Sequence, residues 1–305
     1  MIPLSKFKLQ LSVNKIRLKL LFLLPFMLLE LGKISAQIIP TPPHEQAWVD
    51  SLMTTLSIRE QIAQSFMAAA YTYNDEPNAD LIGLIQDMGI GGIIFMQGNP
   101  IDQVKVNTTY QKESKIPLFM ATDAEWGLSM RLSQTSDFPF QMALGALADD
   151  DLIYDMGFEI GLQMRRLGLH INFAPVIDIN NNPLNPVINY RSFGESRTRV
   201  TQKSITYMKG LQAAGIMAVA KHFPGHGDTQ TDSHYGLPII EHDRVRLDSI
   251  ELYPFRKLIQ EGVDGIMMAH INVPALDATP KRAATLSEKI VTDLLKTEMG
   301  FKGLV

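Results

Sequence analysis

The sequence predicts an α/β protein of the (β/α)8 barrel class. Short, continuously apolar segments alternate with amphipathic segments along the 305 residues, which is the pattern of repeated βα units. Because these apolar segments lack the alternation of a half-exposed strand, we expect parallel strands that are buried on both faces. Polar residues follow several of the segments. Catalytic groups at several strand ends are typical of a barrel rather than of an open, doubly wound sheet.

Seven segments are predicted strands. They lie at residues 66–70, 92–96, 117–122, 171–177, 216–220, 265–269 and 303–305. The intervening segments show one apolar face each at helical spacing, most clearly over residues 153–167 and 290–295. Since a closed barrel of this class has eight strands, we expect a barrel that is truncated at its C-terminus after about the seventh strand.

The first 36 residues have the composition of a secretory signal peptide. Five basic residues precede an apolar run over residues 20–29, and a short segment after it ends in the small residue Ala36. This apolar run is well short of the roughly 20 residues that span a bilayer. We therefore expect cleavage near Ala36, a single domain over residues 37–305, no stable membrane anchor, and a periplasmic or extracellular location.

Charge and cysteine content exclude several classes of function. The net charge is −4, and residues 1–36 hold six Lys or Arg and one Glu, so their removal leaves about −9. This negative charge argues against a nucleic-acid partner. The absence of cysteine excludes disulfides, thiolate nucleophiles, cysteine metal sites and a lipid-modified N-terminal cysteine.

The segment KHFPGHGDTQTDSHYGLP, residues 221–238, has the highest density of chemically reactive side chains. Lys221 and His222 lie where the predicted strand 216–220 ends, and a glycine-punctuated loop follows. Asp232 and His234 are two residues apart, so in extended backbone they project to the same side and the carboxylate can orient the imidazole. This pair is a candidate acid/base dyad.

Two other interpretations of this segment stay open. Asp232 and His234 also fit a solvated polar loop without catalytic function. A metal site is the second alternative, because the loop offers nitrogen and oxygen donors at His222, His226, Asp228 and His234.

The 221–238 segment resembles the signature of the family 3 glycoside hydrolases, specifically of their β-N-acetylhexosaminidase branch. The resemblance extends over most of the chain after residue 36. It includes VDSLMTTLSIREQIAQSFM, ATDAEWGLSMRL, FAPVIDIN, NPVINYRSFGE, MMAHI and GFKGLV. One departure is Trp126, which precedes Gly127 where the family usually has paired glycines. The family's nucleophilic aspartate would follow GFKGLV by a few residues and is not among the 305 residues.

The resemblance implies hydrolysis of terminal β-linked N-acetylglucosamine with retention of configuration, without a cofactor or metal. His234 would be the general acid/base and Asp232 its partner. Asp123 would accept hydrogen bonds from sugar hydroxyls. The other implied sugar-binding residues are Arg131, Arg191, Lys221 and His222.

From the residues alone, some of these roles have alternatives. Asp123 and Arg131 also fit a structural ion pair, and Arg191 also fits the fixing of its own loop. Asp178 and His270 follow predicted strands as well, and packing or support of a neighbouring group is an equally good interpretation for each.

The resemblance also implies a carbohydrate partner, a glycan with N-acetylglucosamine or a peptidoglycan fragment, and further domains after the barrel in a longer parent chain. Without the nucleophile we expect little or no turnover from these 305 residues alone. Two alternatives are a β-glucosidase of the same family and a non-catalytic sugar-binding protein.

Overall fold

The structure is a computed structural model and describes residues 43–232 and 236–305. The predicted signal peptide over residues 1–36 and the predicted acid/base His234 lie outside these residues. In the part of the chain that is described, no helix has both the length and the apolar character needed to cross a membrane.

The core of the fold is a parallel sheet whose strands are neighbours in chain order. The strands are β1 Met67–Thr72, β2 Gly92–Gly98, β3 Phe119–Thr122, β4 Ile171–Asn172, β5 Met217–Phe223 and β6 Gly265–Met268. Each connection between them carries helix or loop on the outside of the sheet. This is the βα order of a barrel, so the predicted fold class is confirmed.

Two predicted strands, the fourth and the seventh, are much shorter than the sequence pattern indicates, whereas the third begins two residues later, at Phe119, and the sixth ends one residue earlier, at Met268. The fourth ends at Asn172, because Pro175 has no backbone N–H to continue the ladder, and Val176 returns only as an isolated bridge to Lys221. The seventh is reduced to one parallel bridge between Leu304 and Gly265. The carbonyl of Leu304 accepts from Ile266 at 2.8 Å, so this segment lies beside β6 where the next barrel strand belongs.

Helices precede β1, lie in every connection between the strands and follow β6. They are α1 Pro43–Thr55, α2 Ile58–Ala63, α3 Ala79–Gly83, α4 Pro100–Glu113, α5 Gln141–Gly145, α6 Asp151–Arg166, α7 Arg197–Ala213, α8 Arg244–Ser249 and α9 Leu252–Gln260. Short 3₁₀ turns lie at Leu128–Met130, Asn189–Arg191 and Ala284–Leu286, and helices of π-type spacing at Leu84–Met88 and Lys289–Glu298. Caps set several of the boundaries, as where Ser57 and Glu60 form a capping box at α2.

Helices α6 and α7 pack closely outside β4 and β5. The apolar face of α6 is buried at helical spacing, through Ile153, Met156, Ile160 and Met164. Gly157 and Gly210 permit the close approach, since a Cβ at Gly210 would collide with the carbonyl of Tyr154 on the facing helix. This contact fixes α7 behind the sheet, where its side chains reach the carboxyl ends of the strands.

Residues next to each other on a strand face opposite sides of the sheet. On β2, Ile93 belongs to the large apolar layer between sheet and helices, whereas Ile94 packs with Ala121, Ile171 and Val219 on the other face. Polar side chains emerge where the strands end. The carboxyl ends of β3, β4 and β5 therefore frame one polar region.

Candidate active site

Asp123 and Lys221 meet at the carboxyl ends of β3 and β5. Asp123 directly follows β3, and the Nζ atom of Lys221 lies 2.8 Å from its Oδ1. The same Nζ is 2.7 Å from Oε1 of Glu125, two residues further along the chain from Asp123. Lys221 is buried. One buried ammonium thus joins two carboxylates, and the sequence-predicted sugar-binding residues Asp123 and Lys221 are brought together.

Glu125 is the centre of this arrangement and is not among the site residues predicted from the sequence. Its side chain has no solvent exposure and accepts from Arg191 in a bidentate pair, Nε to Oε2 at 3.0 Å and Nη2 to Oε1 at 2.7 Å. Arg191 therefore reaches into the site from the turn Asn189–Arg191. The i, i+2 spacing of Asp123 and Glu125 is the sequence signal for a second inward carboxylate.

Arg131 completes the group on the exposed side. Its Nη2 lies 2.5 Å from Oδ2 of Asp123, so the ion pair that the sequence left open as an alternative is present. We call Asp123, Glu125, Arg131, Arg191 and Lys221 the strand-end cluster. Three cations face two carboxylates within it, so its fixed charge is one unit positive.

Electrostatics keep both carboxylates of the strand-end cluster ionised. Burial would raise the pKa of the Asp123 carboxyl, but the Lys221 ammonium and the Arg131 guanidinium outweigh burial and hold that pKa well below its ordinary value of 3.8. Burial opposes ionisation of Glu125 as well, and the charges of Lys221 and Arg191 lower its pKa. Both groups are therefore hydrogen-bond acceptors at neutral pH.

Hydrogen bonds from Asn172 and Tyr207 hold the turn that carries Asp123 and Glu125. The backbone N–H of Ala124 donates to Asn172 Oδ1 at 3.0 Å, and Asn172 Nδ2 donates back to the Ala124 carbonyl at 3.2 Å. The buried hydroxyl of Tyr207, on α7, contacts the carbonyls of Ala124 and Glu125 at 3.1 and 3.2 Å. Strand β4 and helix α7 thus fix the direction of Asp123 and Glu125.

The partly buried His222 forms a pair with the fully buried Asp178. The Nδ1 atom of His222 lies 2.7 Å from Asp178 Oδ2, and Asp178 also accepts from the backbone N–H of His226 at 2.7 Å. Burial lowers the pKa of His222 below 6.5 despite the neighbouring carboxylate. A neutral imidazole that donates Nδ1–H to Asp178 presents Nε2 as an acceptor. Asp178 thus has the supporting role that the sequence left open.

Two other polar residues at strand ends are placed differently. His270 is exposed, with Nδ1 3.1 Å from the hydroxyl of Thr285, and is not part of the strand-end cluster. Asp232 is half-buried in the loop after β5. Because its predicted partner His234 lies outside the described residues, the acid/base dyad stays a prediction.

Asn185 joins the loop of Arg191 to the loop that leads to Asp232. Its Nδ2 donates to the carbonyls of His226 and Gly227 at 2.8 and 3.0 Å, and its Oδ1 accepts from the backbone N–H of Ile188 at 2.8 Å. The sequence patterns do not point to this residue. A buried amide of this kind holds two functional loops in one relative position.

A potential metal site lies beside this loop. In residues 43–232 and 236–305, one group of three side chains, Asp228, His242 and Glu251, places its ligand atoms within 4.8 Å of one another. The Nη2 atom of Arg246 is 3.1 Å from Glu251 and 3.8 Å from Asp228, so a cation of the chain already balances these carboxylates. Of the four metal donors considered from the sequence, this group includes Asp228 alone.

Comparison with known proteins gives a consistent family assignment. The model of the glycosyl hydrolase family 3 N-terminal domain matches residues 57–305. Beta-hexosaminidase A of Pseudoalteromonas piscicida is 38% identical over 248 residues, which are 74% of this chain and 42% of that protein. A beta-N-acetylglucosaminidase/beta-glucosidase of Cellulomonas fimi is 29% identical over 268 residues, 85% of this chain and 47% of that protein.

A solved structure extends the similarity to the fold. The family 3 beta-N-acetylglucosaminidase from Paenibacillus sp. FPU-7 superimposes with a TM-score of 0.78 and 39% identity, over 82% of this chain and 48% of that one. This chain thus spans about half the length of these three relatives.

Proposed function

This chain belongs to glycoside hydrolase family 3, and from that premise we propose that it is the barrel domain of an enzyme that removes terminal β-linked N-acetylglucosamine from a glycan. The observation that carries the proposal is the strand-end cluster. It places buried, ionised carboxylates and cations at the carboxyl ends of β3 and β5, where barrel enzymes bind their substrates.

The strand-end cluster has the chemistry that a neutral sugar requires. A pyranose offers hydroxyls and, in N-acetylglucosamine, one acetamido group, so it is held by directional donors and acceptors. Asp123 supplies a partly exposed carboxylate, and Arg131 lies beside it as a donor. The Lys221 ammonium has three N–H groups and uses two on Asp123 and Glu125, which leaves one for a sugar hydroxyl.

The proposed reaction is a double displacement with retention of configuration. An aspartate carboxylate attacks the anomeric carbon, while His234, protonated and oriented by Asp232, gives its proton to the departing oxygen. A water molecule then hydrolyses the glycosyl intermediate with His234 as base. Resemblance to the family supports these roles, and it assigns the nucleophile to an aspartate that is not among these 305 residues.

Hydrolysis tests the proposal on the natural gene product. We expect release of nitrophenol from p-nitrophenyl N-acetyl-β-D-glucosaminide, with the β-anomer of N-acetylglucosamine formed first in a proton NMR time course. His234→Ala is expected to slow hydrolysis of a disaccharide far more than release of nitrophenol, because only the leaving group of the disaccharide needs protonation. The loss that both substrates share reflects the missing base of the second step. Equal loss for both substrates contradicts the acid role.

A β-glucosidase is the second candidate, and the relative from Cellulomonas fimi, whose name includes both activities, favours its inclusion. The substrates of the two candidate activities differ by the acetamido group, which a glucoside lacks. Faster release from p-nitrophenyl β-D-glucoside than from the N-acetylglucosaminide would replace the first proposal by this one. Calorimetric binding of N-acetylglucosamine without hydrolysis by the natural gene product would instead support a sugar-binding protein.

We propose that the mature protein acts outside the cytoplasm on wall-derived or chitin-like glycans. The composition of residues 1–36 supports export. N-terminal sequencing of the protein recovered from the producing cell is expected to begin near Gln37. A mature protein that begins at Met1 contradicts export by cleavage.

A further inference from the structure

Three aromatic rings lie together beside the strand-end cluster. The ring centroids of Trp126 and Phe140 are 4.8 Å apart, those of Phe140 and Tyr190 are 4.7 Å apart, and Trp126 lies 6.4 Å from Tyr190. The planes are inclined to one another by 53° to 78°. We call Trp126, Phe140 and Tyr190 the aromatic cluster.

The chain places the aromatic cluster directly at the polar site. Trp126 follows Glu125, and Tyr190 precedes Arg191, whose guanidinium is paired with Glu125 at 2.7 Å. Two of the three rings therefore stand on the residues next to the two ends of this buried ion pair. The aromatic cluster is therefore next to the strand-end cluster along the chain at two positions.

All three rings are partly exposed to solvent. Phe140 is 44% exposed, Tyr190 is 49% exposed, and Trp126 is half-buried. Contiguous exposed aromatic surface next to a polar cleft is a feature of ligand sites.

The backbone under these rings is held in place. The carbonyl of Trp126 accepts from the backbone N–H of Phe138 at 3.2 Å. Gly127 has a φ of 93°, a conformation that favours glycine, and a Cβ there would lie 2.6 Å from the Phe138 ring. Phe140 is the N-cap residue of helix α5, and Tyr190 lies in the 3₁₀ turn Asn189–Arg191. The rings therefore form a preorganised surface.

We propose that the aromatic cluster is a subsite for the second pyranose ring of the substrate, the sugar that leaves when the terminal N-acetylglucosamine is removed. This inference rests on the proposed function. A pyranose has apolar C–H faces that pack against aromatic rings and hydroxyl edges that need hydrogen bonds. The strand-end cluster supplies the hydrogen bonds to the terminal sugar, and the aromatic cluster supplies flat apolar surface for the next one.

The matching ligand is a neutral β-linked disaccharide of N-acetylglucosamine. We expect this disaccharide to bind more tightly than N-acetylglucosamine alone.

Tryptophan fluorescence tests the subsite directly, because the sequence contains only Trp48 and Trp126. The variant Trp48→Phe changes an exposed position on α1 and makes Trp126 the sole reporter. We titrate this variant with N-acetylglucosamine and with the thio-linked analogue of N,N′-diacetylchitobiose, a disaccharide that resists hydrolysis. The disaccharide is expected to bind about tenfold more tightly than the monosaccharide and to shift the Trp126 emission to the blue.

Substitutions in the Trp48→Phe background distinguish stacking of a sugar on the Tyr190 ring from a purely structural role of that ring. Tyr190→Ala is expected to abolish the tenfold preference for the disaccharide and to leave monosaccharide affinity unchanged, whereas Tyr190→Phe keeps the ring and keeps the preference. Tyr154→Ala is the matched control, since Tyr154 is a partly exposed ring on α6 that stacks on Phe158. It is expected to change neither affinity.

The outcomes separate failure of the subsite from failure of the proposed function. If the monosaccharide binds but the disaccharide binds no more tightly, or if Tyr190→Ala weakens both sugars equally, the subsite is wrong and the proposed function stands. If neither sugar binds to the unsubstituted protein, the proposed function is wrong and the subsite with it.

Discussion

The strand-end cluster and the His222–Asp178 pair are neighbours on β5, yet they use charge in opposite ways. In the strand-end cluster three cations hold two carboxylates ionised, with the pKa values of Asp123 and Glu125 lowered. In the pair, burial lowers the pKa of His222, so an uncharged imidazole accompanies the buried carboxylate of Asp178. We therefore expect ligand recognition by the strand-end cluster to persist over a wide pH range and the His222–Asp178 pair to be sensitive to mild acid.

A second difference lies within the strand-end cluster. Asp123 is 13% exposed and reaches solvent beside Arg131, whereas Glu125 is fully buried between Lys221 and Arg191. We infer that Glu125 maintains the site and that Asp123 contacts the ligand. Substitutions of the two carboxylates are therefore expected to affect different properties.

The largest effect is expected from Glu125→Gln. This substitution removes the charge between Lys221 and Arg191 and leaves buried cations short of a partner, so we expect a loss of about 3–5 kcal/mol in the free energy of unfolding. Urea denaturation with far-UV circular dichroism measures it. Asp75→Asn is the control, because Asp75 and Lys105 form an exposed ion pair at 2.7 Å. Similar midpoints for both variants contradict the role of Glu125.

Asp123→Asn tests whether Asp123 contacts the ligand while Glu125 maintains the strand-end cluster. It keeps the shape of the side chain and removes a charged acceptor, so the dissociation constant for N-acetylglucosamine is expected to rise about 10- to 100-fold. Stability is expected to fall less than in Glu125→Gln, since Lys221 keeps Glu125 as a partner and Arg131 is near solvent. Isothermal titration calorimetry gives the first quantity. Unchanged sugar affinity would mean that Asp123 does not contact the ligand.

The smallest expected effect concerns acid sensitivity. The pKa of His222 is lower in the folded than in the unfolded protein, so below about pH 6.5 the unfolded state binds more protons and stability falls as pH falls. One such group changes the unfolding free energy by at most about 1.4 kcal/mol per pH unit.

We expect His222→Asn to reduce this slope between pH 7 and pH 5. The pKa of His170 is also lowered by burial, so part of the slope stays in both proteins. Below about pH 4, the depressed pKa values of Asp123, Glu125 and Asp178 predict a further loss of stability in the unsubstituted protein. Urea denaturation at several pH values measures the loss of stability between pH 7 and pH 5 and the further loss below about pH 4. Identical slopes above pH 5 would contradict a neutral His222 beside Asp178.

The sequence patterns predict most of the strands and several of the polar residues that converge at the candidate site. Apolar runs predicted the strands, and polar residues after them predicted which ends converge, as Asp123 and Lys221 do at 2.8 Å across 98 positions of the chain. Strand lengths were less predictable. Pro175 interrupts β4 inside a segment whose apolar character continues to residue 177.

Glu125 and Asn185 illustrate what a single sequence does not contain. The importance of Glu125 depends on Arg191, 66 positions away, and on Lys221, and neither pairing has a local pattern. Asn185 lies in a loop rich in Asn and Pro, where turn formation is the ordinary explanation for its presence. Only the fold shows that its amide joins two loops.

A crystal structure of the protein with N-acetylglucosamine tests the proposed sugar site most directly. We expect the sugar at the carboxyl ends of β3 and β5, with hydroxyl oxygens about 3 Å from the Asp123 carboxylate and the Lys221 ammonium, and with Glu125 still paired to Arg191. Ordered sugar bound elsewhere, or an Asp123 that remains paired only with Arg131 and Lys221 at saturating sugar, would contradict the assignment of the strand-end cluster as the sugar site.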